Sequence, residues 1–128
     1  MKKLIISLLI SGAAILTQNT MAADLDTDMW ALAKNYKAFN KSENISDALK
    51  SLDAMKFAAN DAKQSVPNKL KSLAKDDVQV VGYQAGLDAL IAEIDKTATL
   101  VQANQLDQAK IEAKNLLTIR DENHKKFK

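Results

Sequence analysis

At 128 residues, 47% of them apolar and 27% charged, the chain carries enough apolar material for one packed domain. Its 18 basic and 16 acidic residues give a formal charge of +2, which falls to zero if Lys2 and Lys3 leave with a leader, and this excludes the long-range field of a nucleic-acid or anionic-membrane binder. The absence of cysteine excludes both a disulfide framework and a covalent Cys-x-x-Cys-His cofactor attachment.

The chain opens on a secretory pattern. Lys2 and Lys3 form a basic start, residues 4–16 an apolar run, and Thr20-Met21-Ala22 a small-residue cleavage site. The run is too short to span a bilayer and a polar chain follows it, so the pattern predicts cleavage after Ala22, export, and release without membrane insertion. Residues 23–128 are then the domain.

Within that domain the periodicity is helical throughout, with no sustained alternation or hairpin signal. Leu25, Met29, Leu32 and Tyr36 recur at spacings of four, three and four, which places them on one face of a first helix. Lys41-Ser42-Glu43-Asn44 interrupts it, and Asn44 or Ser46 caps a second helix carrying Ile45, Leu49, Leu52, Met55, Ala59 and Ala62, closed by Pro67. A polar connection over residues 65–76 leads to Asp76 or Asp77, which opens a third helix with Val80, Tyr83, Leu87, Leu90, Ile91, Ile94, Ala98 and Val101 inside. After a turn at Gln102-Ala103-Asn104-Gln105, a last helix carries Leu106, Ala109, Ala113, Leu117, Arg120 and His124. The expected fold is all-α, an antiparallel up-down-up-down four-helix bundle.

In such a bundle the start of the first helix and the end of the fourth share one end. Met29 lies about five residues inside its helix, or roughly 7 to 8 Å, and His124 about four residues from the terminus, or roughly 6 Å. The two come to similar depth, and thioether with imidazole is an established axial pair for haem iron. Taken singly, Met29 also reads as core filler and His124 as a last-turn histidine favoured by the helix dipole.

The segment Ala23-Asp24-Leu25 with Met29, and the ending Thr118-Ile119-Arg120-Asp121-Glu122-Asn123-His124-Lys125-Lys126-Phe127-Lys128, resemble the soluble cytochrome b562 family. Asp47-Ala48-Leu49, Met55, Asp61-Ala62, Pro67 with Lys69-Leu70, Gly86 with Asp88, and Ile94-Asp95 carry the resemblance between those ends. It implies a non-covalent haem b, one per chain, ligated by Met29 and His124, with Arg120 at the haem edge. It also implies a monomeric periplasmic electron carrier with a redox partner protein, no nucleic acid and no enzymatic turnover. The family is itself a reference case for the up-down-up-down topology.

The implied pocket walls are Leu25, Leu32, Tyr36, Met55, Pro67, Tyr83, Leu87 and Ile91, each of which also serves as core. Lys128 stands where the family ends in arginine and keeps the charge without the planar fork. Tyr83 and Leu87 occupy positions where the family has aromatic residues beside the haem, and Asn68 replaces a second proline. Gly86 reads as a close approach to the haem or a neighbouring helix, while Gly82 has no such reading. Asp24-x-Asp26-x-Asp28 is not a calcium loop, since Met29 takes the glycine position and Asn35 the glutamate position. Those acids suit the helix N-terminus, and Lys125, Lys126 and Lys128 the last C-terminus, where with Arg120 they also read, more weakly, as a docking surface for an acidic redox partner.

One competing class remains: a haem-free periplasmic bundle that binds or chaperones other proteins. A hydrolase or transferase is disfavoured by a single histidine, no cysteine and no glycine-rich phosphate loop.

Overall fold

The computed structural model describes residues 24–127, so the predicted leader and Lys128 lie outside the described residues. These residues are helical with no strand among them, as the periodicity predicts.

Helix α1 (Leu25–Lys41) starts where Asp24, in extended backbone, accepts a hydrogen bond from the Thr27 amide at 2.9 Å. It stops at Ser42, whose amide and hydroxyl both donate to the Phe39 carbonyl. Helix α2 (Ile45–Ala62) is capped by Asn44, which accepts from the Asp47 amide at 2.8 Å while its own Nδ2 reaches back to the Asp47 carboxylate at 3.1 Å. Asn44 and not Ser46 is therefore the cap.

Helix α2 ends at Ala62, five residues before the proline expected to close it. Pro67 instead starts a 3₁₀ turn over Asn68–Leu70, where the Leu70 amide donates to the Pro67 carbonyl at 2.8 Å. Leu70 is buried, which pins the long connection to the core. Helix α3 (Val78–Gln102) opens at Asp77, whose carboxylate accepts from the Gln79 amide. Its turn to the next helix uses Asn104 at φ 63, the left-handed conformation that asparagine tolerates best after glycine.

The fourth rod is not continuous. It divides into α4 (Leu106–Glu112) and α5 (Lys114–Phe127), because the Leu116 amide donates to the Ala113 carbonyl three residues back and tightens the turn at Ala113. Ala109 and Ala113 are fully buried at this point.

Long-range hydrogen bonds fix the directions. Lys110 Nζ donates to the Ser42 carbonyl, joining the α4 region to the far end of α1. At the opposite end the Tyr83 hydroxyl donates to the Ala62 carbonyl, and its ring meets Phe127 edge-on with centroids 5.9 Å apart. The bundle is thus antiparallel, up-down-up-down. Its largest fully buried side chains are Phe39, Leu52, Leu70, Ile94, Thr97 and Val101, all but Leu70 toward the Ser42 end.

Neighbours in sequence pack closely along α1, α2, α3 and then α4 and α5, but α1 and α5, the pair needed to close the bundle, hardly approach each other. Among the described residues no helix is long and apolar enough to cross a membrane.

A carboxyl pair ties α3 to α4. Glu93 is pushed up to about 7, first by burial and then by a hydrogen bond with Glu112, whereas Glu112 is lowered by that same bond and by Lys96 at 3.2 Å. Between the ordinary carboxyl range and about pH 7 the folded protein keeps a proton on Glu93 that the unfolded chain releases, so this group's contribution to stability is lost as pH rises through about 7. Glu93→Gln retains a donor to Glu112 without titrating. Its melting temperature should match wild type near pH 5 and exceed it near pH 8; an equal difference at both pH values would exclude the shared proton.

Candidate cofactor site

The gap between α1 and α5 is a cavity of about 1030 Å³, at the top of the range for sites that take cofactor-sized molecules. Helix α1 contributes Leu25, Met29, Leu32 and Tyr36, α2 contributes Met55, the connection Pro67, α3 Tyr83 and Leu87, and α5 Arg120 and His124. The sequence-predicted residues named here all line this one space. Ile91 does not, and packs half-buried against the core elsewhere. Lys128 is outside the described residues.

Spacing explains the convergence. Leu25, Met29, Leu32 and Tyr36 form the inward stripe of α1, and Arg120 and His124 lie one turn apart on α5. Met29 is half-buried on the wall and His124 exposed at the rim. A soft thioether and an imidazole thus face one apolar space from two helices that stand apart, and this donor set suits haem iron, with apolar walls suited to the porphyrin face. Among the described residues no cluster of three or more His, Cys, Asp or Glu groups is present to hold a bare metal ion.

Arg120 lines the cavity and is paired there with its neighbour Asp121, which lines it too. Its Nε and one terminal nitrogen donate to Asp121 Oδ1 at 3.0 and 2.8 Å, an exposed pair worth little to stability. The guanidinium retains further donors for an anionic edge.

The acidic start of α1 departs from expectation. Asp24 does serve the helix terminus, and the Thr27 amide lowers its carboxyl. Asp28 instead turns inward and is 4% exposed. Burial first, then a hydrogen bond with Asp61 and that residue's charge, push it up to about 6. The Tyr83 hydroxyl is pushed up to about 12 by burial and by Asp28, so it stays a neutral donor.

Gly86 does mark a close approach, to α5. A Cβ there would lie 2.1 Å from Asn123 Oδ1, whose side chain is held by a bond from Nδ2 to the Ile119 carbonyl. Gly82 also faces α5, since a Cβ on it would meet the Phe127 ring at 3.4 Å. Trp30, Leu90, Leu116, Leu117, Ile119, Asn123 and Phe127 also line the space, beyond the residues expected there. Phe127 was recoverable, because it follows His124 by three residues and so shares its face. Trp30 carried no such signal, being one residue off the apolar stripe.

Comparison with known proteins identifies relatives along nearly the whole chain. The family model described as cytochrome b562 matches residues 24–128. A Yersinia pestis protein named "Probable soluble cytochrome b562 2" is 35% identical over 121 residues, covering 94% of each chain. A second from the same organism, "Probable soluble cytochrome b562 1", is 31% identical over 114 residues, covering 89% of this chain and 90% of its own.

Proposed function

The chain belongs to the cytochrome b562 family, and on that premise we propose that it is a periplasmic one-electron carrier holding one non-covalent haem b between Met29 and His124. The observation that carries this reading is the meeting of a thioether and an imidazole on one apolar cavity, between the two helices of the bundle that do not close on each other.

When bound, haem supplies a ferric/ferrous couple. The chain's own residues do the rest. Met29 and His124 would hold the haem iron, and with both protein ligands in place no coordination site would be left for a substrate, which favours a carrier over an enzyme. Leu25, Leu32, Met55, Leu87 and the Pro67 turn exclude water and lower the local dielectric. A thioether ligand would favour the ferrous state more than a second imidazole, so a moderately positive potential is expected. Arg120, and Lys128 beyond the described residues, meet the anionic edge. Export follows from residues 1–22, and the working form is a monomer that exchanges electrons with a partner protein.

The test is a haem titration of the full mature chain, read by absorbance and by fluorescence. Trp30 is the single tryptophan and lines the cavity, so its emission should be quenched in step with haem uptake and reach its end point at one equivalent. Sharp low-spin bands in the reduced form complete the expected result. Absence of stoichiometric uptake, with Trp30 emission unchanged, would reject the haem reading and leave a haem-free bundle.

A further inference from the structure

The α1 rim of the cavity carries side chains that ligation does not use. Trp30 follows Met29 directly, lines the cavity and is 63% exposed. Lys34, one turn on, places Nζ 4.8 Å from the centroid of the Trp30 ring, and Lys37 lines the same opening. The ion pairs among the described residues engage Lys56, Lys63, Lys96 and Arg120, leaving Lys34 and Lys37 available.

We infer that this rim, Trp30 flanked by Lys34 and Lys37, is the docking surface for an acidic one-electron redox protein; the inference rests on the haem reading above. Tryptophan is the residue type most enriched at the energetic centre of interfaces, and here a broad indole stands open to solvent and carries a cation on its face. A partner seated on Trp30 also lies directly against the cavity wall, which gives a short route to a group held inside. Charge selects the sign of that partner. The described residues hold 15 basic and 16 acidic side chains, so the molecule as a whole does not attract an acidic protein. Asp26 and Asp121 also line the opening, but Asp121 is taken up by Arg120, and Lys34 with Lys37 then outweighs Asp26. The attraction is local to the rim.

The experiment uses the haem-loaded full mature chain, reduced in a stopped-flow instrument by plant-type ferredoxin, an acidic one-electron donor, across a range of salt concentrations. The rate should fall at least about tenfold from low to high salt. Lys34→Glu with Lys37→Glu should abolish that dependence while the haem spectrum is retained. Trp30→Ala should slow reduction by ferredoxin but not by dithionite, which needs no extended contact. A wild-type rate indifferent to salt, or a salt dependence unchanged in the charge-reversed variant, would overturn the inference. Loss of haem uptake in that variant would assign the lysines to the cofactor and overturn it equally. Failure of the haem reading is separately visible, as absent absorbance in the wild-type titration before any kinetics.

Discussion

Replacing His124 by alanine should abolish the low-spin spectrum of the haem-loaded protein and weaken haem affinity by at least about 100-fold, more than the 10- to 100-fold typical of losing a mere supporting group around a metal. The imidazole sits on the α5 rim of the cavity, on a helix held mainly by α3, so its bond to iron is also what would fasten that helix toward α1. Met29→Ala should behave differently in kind. The thioether is the softer and weaker ligand, on the well-anchored α1, so its loss opens one coordination position, lowers the potential and turns the ferric form high-spin while binding persists. Leu87→Ala is the control: it enlarges the same cavity and removes apolar contact but leaves both ligands, and the low-spin bands should survive. Absorbance and potentiometry of the three variants separate the cases. An unchanged low-spin spectrum in either ligand variant would remove that residue from the site.

Much of this site was legible before any coordinates, because helical periodicity and bundle topology are both set by local rules. The stripe of Leu25, Met29, Leu32 and Tyr36 follows from a 3.6-residue repeat, and the caps at Asn44 and Asp77 from unsatisfied amides at helix starts. Depth along antiparallel rods then brings Met29 and His124 to one end. What escaped was of another kind. The gap between α1 and α5 has no sequence signature, since residues lining a cavity and residues filling a core are chemically the same. Asp28 reads as a surface acid at a helix start, and only the facing Asp61 on α2 shows that a shared proton lets it turn inward. The break at Ala113 lacks the glycine or proline that would announce it. Pro67 misled in the opposite sense, marking the start of a 3₁₀ turn and not the end of α2.

Removing haem should destabilise the protein unevenly, with the largest loss in α5. That helix buries only Leu116 of its residues and leans on α3, whereas α2 buries a continuous stripe against both α1 and α3. With its imidazole bound across the gap, α5 would be tied to α1 through the cofactor; without it, the helix keeps only its α3 side, through the buried Leu116, the Phe127–Tyr83 contact and the Asn123 approach to Gly86. A ligand present at a thousand times its dissociation constant adds about 4 kcal/mol to stability. For a domain of this size that corresponds to a rise in melting temperature on the order of 15 °C or more. Hydrogen exchange locates the difference. Amides of α5 should lose nearly all protection when haem is removed, while those near the fully buried Leu52, Ile94 and Val101, toward the Ser42 end, stay protected. Uniform loss along all the helices would mean that the cofactor stabilises the bundle as one cooperative unit, and the gap between α1 and α5 would then not be its weak seam.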